Sequence, residues 1–272
     1  MTKTGGWLKN LSMRKRIVKV GGIECGADQL FLIAGPCVVE GESIMLRAAE
    51  CLRELSEKLE IPVIYKSSFE KDNRSAAQNY RGPGLEEGLR VLERVREEFG
   101  FPLISDVHYP QQVKPAAEVL DVLQIPAYLC MQTHLVEEAA RTGKVLNLKH
   151  GQFLAPENMM KPTQKALDAG NDQIILTERG YTFGYNDLIV DPRSFYHLNE
   201  TGFPVVFVGS GDGQPAVVAD SGPGLREALL HLRDHGHRAV AFVSGDPLDT
   251  GDSRARLEQF EALRAELSLD PS

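Results

Sequence analysis

Three features are scarce in this sequence, and each shortage narrows what the chain can do. The four cysteines, Cys25, Cys37, Cys51 and Cys130, never stand as a Cys-x-x-Cys pair. Free thiols in an intracellular chain are the expected state, not a disulfide framework. No run approaches the roughly 20 apolar residues of a membrane helix. The first apolar stretch is broken by charges, so no secretory signal is written there. Basic residues are also in deficit, with 30 Lys and Arg against 38 Asp and Glu, a net charge of −8. Such a chain is a poor non-specific nucleic-acid binder, because phosphate backbones demand a surplus of cations. A local basic pocket can still hold phosphorylated metabolites. Neither nucleic acid nor membrane is expected as a partner, and a cytoplasmic location is. The exception is residues 1–16, which carry five Lys or Arg and no acid. They read as a disordered tail, or Met13 is the true start; a membrane anchor is the weaker alternative.

What the chain does have is apolar mass in a regular order. Its 272 residues are 42% hydrophobic, enough for one large domain or two small ones. Short apolar runs alternate with three-four periodic stretches. The runs are Phe31 to Ala34, Val63 to Tyr65, Leu103-Ile104, Val122-Leu123, Val145 to Leu148, Gln173 to Thr177, Pro204 to Val208 and Ala239 to Val243. Helices are expected near Met45 to Leu59, Leu85 to Phe99, Gln111 to Val119, Leu135 to Thr142, Leu225 to His235 and Arg254 to Leu267. Two less periodic segments, Pro156 to Ala169 and Pro192 to Glu200, fill the remaining connections. Eight strand–helix units predict an α/β fold, a (β/α)8 barrel, with an open doubly wound sheet as runner-up. A hairpin beginning at Ile17 to Val20 is expected to plug the barrel bottom.

Barrel chemistry sits at the C-terminal ends of the strands, and six successive ends here are polar. They carry Cys37; Lys66, Ser67 and Ser68; Asp106 and His108; Gln124; Lys149, His150 and Gln152; then Glu178 and Arg179. One Lys at a strand end is usually a solvated rim residue, but six polar ends in phase suggest convergence. The cations Lys66, Lys71, Arg74, Lys149 and Arg179 suit phosphates and carboxylates. The loop Glu70 to Ser75 offers a guanidinium, an amide and a hydroxyl to one phosphate.

Several of these stretches closely resemble 3-deoxy-D-manno-octulosonate 8-phosphate synthases. They are Lys66-Ser67-Ser68-Phe69-Glu70-Lys71-Asp72-Asn73-Arg74-Ser75, Tyr80-Arg81-Gly82-Pro83-Gly84, Ala34-Gly35-Pro36-Cys37, Ser105-Asp106-Val107-His108 and Leu123-Gln124-Ile125-Pro126-Ala127. Asn147 to Phe153 and Glu178 to Asn186 complete the set, which spans about Val18 to Pro204. The resemblance implies condensation of phosphoenolpyruvate with arabinose 5-phosphate, addition of water and release of inorganic phosphate. It assigns Lys66, Lys149 and Arg179 to phosphoenolpyruvate, and Asn73, Arg74 and Ser75 to the sugar phosphate. Lys71, Asp106 and Gln124 would line the reacting centre, with Ser68 and Gln152 among the substrate contacts. A homo-oligomer, commonly a tetramer, is the family's habit. The related 3-deoxy-arabino-heptulosonate synthases share the barrel but differ in the loop after strand two, so they rank second.

The same resemblance raises a metal question. Cys37 stands where metal-dependent members place a thiolate ligand and others an Asn. It is read as a ligand position suited to Zn²⁺ or Fe²⁺, or else as a small buried residue. The partner ligands the family supplies from strands seven and eight are not found. Val206-Phe207-Val208-Gly209-Ser210-Gly211 lacks the expected His, and Ala241 to Pro247 lacks the expected Glu. Asp246, Asp249 and Asp252 are the acids left nearby, and the metal site reads as incomplete. Met131-Gln132-Thr133-His134 stands where Arg-Gln-Thr-Asp is expected; Glu70, Asp72 and Tyr109 are smaller departures.

Residues from about Gly202 to Leu269 resemble instead part of the LacI-type sugar-receptor domain. The likeness is carried by Ala216 to Asp220, Ala228 to Leu232, Gly236 to Gly245 and Arg256 to Phe260. The chain therefore reads as a tail at 1–17, a synthase-like barrel part at 18–204, and a LacI/flavodoxin-like βαβα segment at 205–272 that supplies strands seven and eight. Gly209-Ser210-Gly211 and Ser244-Gly245 are either turns or a backbone nest for phosphate. Three readings follow: an active or impaired synthase, a non-catalytic binder of phosphorylated sugars or phosphoenolpyruvate, and, last, a sugar sensor.

Overall fold

The computed structural model describes residues 16–74, 76–183, 187–208, 222–234, 252–267 and 269. The chain forms two compact units, residues 1–208 and 209–272. The first unit opens with an antiparallel hairpin, β1 (Val18–Val20) and β2 (Ile23–Cys25). Strand–helix units follow: β3 (Leu32–Ala34), α1 (Glu42–Leu59), β4 (Val63–Lys66), α2 (Leu85–Phe99), β5 (Leu103–Asp106), α3 (Pro110–Val119), β6 (Val122–Ile125) and α4 (Thr133–Arg141). Then come β7 (Val145–Lys149), α5 (Met160–Asp168), β8 (Ile174–Glu178), the hairpin β9 (Tyr181–Phe183) and β10 (Asp187–Ile189), α6 (Arg193–Asn199) and β11 (Val205–Phe207). The sequence reading missed the β9–β10 hairpin, whose short strands lie inside a stretch read only as a motif.

Seven strands make one parallel sheet in the order β3-β4-β5-β6-β7-β8-β11. The order follows the chain without reversal, whereas a doubly wound sheet reverses at a switch point. That rules out the runner-up fold. The sheet is curled: Ile33 of β3 and Val206 of β11, at its two ends, pack into one cluster with Val18, Val20, Ile23 and Cys25 of the β1–β2 hairpin. The hairpin thus fills the interior, as expected. The arrangement is a curled parallel sheet of seven described strands, consistent with a TIM-like barrel. The eighth expected strand, Ala239 to Val243, lies outside the described residues. So do Ala216 to Ala219, Gly209-Ser210-Gly211, Ser244-Gly245, Asp246 and Asp249.

Alternation along the strands separates two apolar layers. Ile64, Ile104, Val122, Val145 and Ile175 face the interior with the hairpin. Their neighbours Val63, Tyr65, Leu103, Leu123, Leu146, Leu148, Ile174 and Leu176 face the helices. Helix α2 shows how the outer layer is built. Gly88, Leu89, Val91, Leu92 and Val95 form its buried stripe. Gly100, left-handed at φ 72°, ends it by donating its N–H to the Arg96 carbonyl. A Cβ at Gly88 would fall 2.8 Å from the Phe69 Cα, so the helix lies against the β4 loop only because that residue is glycine.

In the second unit, α7 (Gly222–Asp234) and α8 (Asp252–Glu266) bury Leu229 and Phe260 together with Leu267 and Leu269. Among the described residues no helix is long and apolar enough to cross a membrane. All four cysteines are free, and burial pushes the Cys25 thiol up to about 12.

Candidate active site

Two residues beyond each inward apolar residue, the same strands turn polar. Lys66 follows Ile64, Asp106 follows Ile104, Gln124 follows Val122, Asn147 follows Val145 and Thr177 follows Ile175. Period two keeps all five on the interior face, directly above the apolar layer. They form one hydrogen-bonded chain. Thr177 Oγ1 donates to Asn147 Oδ1 at 2.6 Å, and Asn147 Nδ2 to Gln124 Oε1 at 3.0 Å. Gln124 Nε2 then donates to Asp106 Oδ1. Asp106 Oδ2 takes the Ser68 hydroxyl, with Lys71 Nζ at 2.9 Å and Lys66 Nζ at 3.5 Å. Lys66 also donates to Ser68 Oγ at 3.2 Å.

Asp106 is therefore the electrostatic centre. Burial alone would raise its pKa, but Lys66 and Lys71, with the hydrogen bonds from Ser68 and Gln124, hold it well below the usual carboxylate range. Burial pushes Lys66 down, and Asp106 opposes that shift. Lys149 is lowered to about 8, mainly by burial, with Lys66, Arg179 and Lys71 adding repulsion and Asp106 resisting. Burial likewise lowers His108.

Above this layer opens a cleft of about 460 Å³, including its mouth, lined by Lys71, Asn73, Asp106, His108, Pro126, Ala127, Tyr128, Lys149, Gln152 and Arg179. Arg179 Nη1 donates to Gln152 Oε1 at 3.2 Å, while Arg179 Nε is buried without a hydrogen-bond partner. So is His108 Nδ1. The unpaired Arg179 guanidinium nitrogen beside two lysines suits an anion.

Of the sequence-predicted residues, Lys71, Asn73, Asp106, Lys149, Gln152 and Arg179 line this cleft. Lys66, Ser68 and Gln124 sit at its floor and bind Asp106. Arg74 turns its Nε to the Tyr80 carbonyl at 3.0 Å. Ser75 lies outside the described residues. Cys37 is exposed at the end of β3. Gly35 brings that end close to β4, because a Cβ there would lie 2.2 Å from the Lys66 carbonyl oxygen.

Two polar strand-end residues do not converge. His150 and Glu178 are fully buried and paired with each other. Alternation sets them on the helix-facing side, behind Lys149 and Arg179. Asn147 and Thr177 were missed by the sequence reading, although a polar residue inside Val145-Leu146-Asn147-Leu148 was a visible signal. Three departures from the synthase pattern contact one another or share a partner. Tyr109 donates its hydroxyl to Asp72, and Arg81 pairs with Asp72 and, at 3.3 Å, with Glu70. Gln112 Nε2 also reaches Glu70 at 3.0 Å, while its Oε1 accepts the His108 N–H at 2.8 Å. The loop after β4 is thereby tied to the loop after β5.

Residues 11–214 match the family model described as the DAHP synthetase I family. The chain belongs to that family. Its relatives include a 2-dehydro-3-deoxyphosphooctonate aldolase of Geotalea uraniireducens, 47% identical over 263 residues, covering 92% of this chain and 96% of the relative. That share extends well into residues 209–272. Enzymes of the same description from Geobacter metallireducens and Trichlorobacter lovleyi are each 51% identical, covering 80% and 79% of this chain and 80% of each relative. The family membership makes the cleft a candidate enzyme site.

A divalent metal does not fit the described part of it. Among the described residues no three His, Cys, Asp or Glu side chains come together as a ligand set. Structural and catalytic zinc sites need three or four protein ligands. Cys37 has no such companions among the described residues.

Proposed function

We propose that the chain condenses phosphoenolpyruvate with arabinose 5-phosphate, giving 2-dehydro-3-deoxyphosphooctonate and inorganic phosphate. The observation that carries this reading is the cleft itself. It gathers Lys71, Lys149 and Arg179 around a buried carboxylate in a protein of net charge −8. Local cations against an acidic background suit two phosphorylated substrates. Relatives about half identical in sequence are named 2-dehydro-3-deoxyphosphooctonate aldolases.

In the proposed reaction the C3 carbon of the enol bonds to the aldehyde carbon, whose oxygen becomes an alcohol. Positive charge develops at C2, and water adds there. The phosphate then leaves C2 with its bridging oxygen, and the ketone forms. Lys149 and Arg179 hold the phosphoenolpyruvate anion, with Lys66 beneath. Asn73, Arg74 and Ser75 take the sugar phosphate. Lys71 faces the aldehyde oxygen, where negative charge builds. Asp106, kept ionised, stabilises the charge at C2, and the Gln124-Asn147-Thr177 chain holds its carboxylate still. The work is positioning and electrostatic stabilisation.

Release of inorganic phosphate that requires both substrates tests the reading. Turnover with a four-carbon aldose phosphate in place of the pentose would favour the related heptulosonate synthase. A second reading is a non-catalytic binder of phosphoenolpyruvate or phosphorylated sugars. It expects a thermal shift with phosphoenolpyruvate but no phosphate release. The LacI-type reading of residues 202–269 is not shown by the relatives, which match well into that segment, and this chemistry does not rest on it.

A further inference from the structure

His150 and Glu178 are fully buried titratable side chains that the proposed reaction does not use. Each directly adjoins a cation of the anion site: His150 follows Lys149, and Glu178 precedes Arg179. Because strand residues alternate sides, the cations face the cleft while this pair faces the helices. His150 Nδ1 lies 3.1 Å from Glu178 Oε1 and 3.0 Å from Oε2. Only the contact to Oε1 has hydrogen-bond geometry, and Oε2 is left without such a partner.

The pair also reaches into both loops that leave these strands. The other ring nitrogen, Nε2, meets the Leu154 carbonyl at 2.5 Å, closing the loop that carries Gln152. Glu178 Oε1 accepts the Gly180 N–H at 2.5 Å, setting the turn after Arg179. The loops are joined again where Thr182 N–H donates to the Gln152 carbonyl at 2.8 Å. The outcome is visible on the cleft side, where Arg179 Nη1 reaches Gln152 and Nε is buried without a hydrogen-bond partner.

A buried histidine–carboxylate pair is weak evidence for stability, since desolvation offsets its attraction. Holding two loops in register is a better account of its place. We propose that the His150–Glu178 pair is a positioning device that sets Lys149, Gln152 and Arg179 for the phosphoenolpyruvate anion. The inference rests on the reading that those residues bind that anion.

The test uses the full chain with Glu178→Gln, His150→Gln and His150→Lys. KM is measured separately for phosphoenolpyruvate and for arabinose 5-phosphate, and phosphoenolpyruvate binding is followed by calorimetry. Glu178→Gln and His150→Gln are expected to raise KM and Kd for phosphoenolpyruvate on the order of tenfold or more. KM for the sugar phosphate, held by the separate loop after β4, should stay within about twofold. His150→Lys places a nitrogen donor toward Glu178 and should recover most of the loss, which a merely space-filling role would not predict. The inference is overturned if both KM values move equally, if neither moves, or if the Lys variant is as poor as the Gln variant. If Glu178→Gln does not fold, the two His150 variants decide by themselves. If the unaltered chain binds phosphoenolpyruvate without turnover, the proposed reaction fails and the Kd values still judge the pair. If the unaltered chain does not bind it at all, both readings fall.

Discussion

The inner face of the curled sheet has two layers that come from the same strands, two residues apart. The lower one, Ile64, Ile104, Val122, Val145 and Ile175, is sealed by the β1–β2 hairpin and holds no polar side chain among its buried members. The upper one, Lys66, Asp106, Gln124, Asn147 and Thr177, is joined by hydrogen bonds throughout. One step of the strand period separates a dry plug from a charged floor. The apolar layer excludes water from below, which strengthens every charge interaction above it. The charged layer is affordable because each member has a partner; a half-satisfied network would be worse than an apolar one.

The comparison breaks most sharply at Asp106. Asp106→Asn leaves two buried ammonium groups without their counter-charge. Turnover should fall on the order of 10²–10³-fold, and stability by about 3 kcal/mol, measured by denaturant unfolding. Ile104→Ala, one layer down, should do the reverse. It should cost about 2–5 kcal/mol of stability through the cavity it leaves, with kcat/KM per folded molecule unchanged. If Ile104→Ala abolished turnover in the folded protein, the layers would not be separable in function.

The smallest expected effect is one of pH, and it sharpens the contrast. Lys149 is lowered to about 8 in the folded protein. The ammonium that holds the substrate anion is therefore lost as pH rises through about 8, and kcat/KM for phosphoenolpyruvate should fall there. Stability should move the other way. Between the folded and unfolded values of Lys149 the unfolded chain binds more protons, so this group's contribution to stability rises with pH. A binding profile flat through that range would remove Lys149 from the anion site.

The layers were partly legible in the sequence. Strand order, helix positions and the cations of the cleft follow from apolar periodicity and from polar residues at strand ends. Lys71, Asp106, Lys149, Gln152 and Arg179 were found that way, and all line the cleft. What could not be read was orientation. His150 and Glu178 are as polar as their neighbours, and only the strand phase shows that they face the helices. Asn147 and Thr177 sit inside apolar runs, where propensity cannot distinguish a buried link in a network from a tolerated polar residue. The pairing of Tyr109 with Asp72 joins loops 37 residues apart in the chain. It looked in sequence like two unrelated departures.

The central claim is that the charged layer and the cleft above it join two phosphorylated substrates. The direct measurement is inorganic phosphate released by the full chain from phosphoenolpyruvate and arabinose 5-phosphate, together and separately, with added divalent metal and with chelator. Release that requires both substrates is the predicted result. A folded chain that releases none under any of these conditions would contradict it.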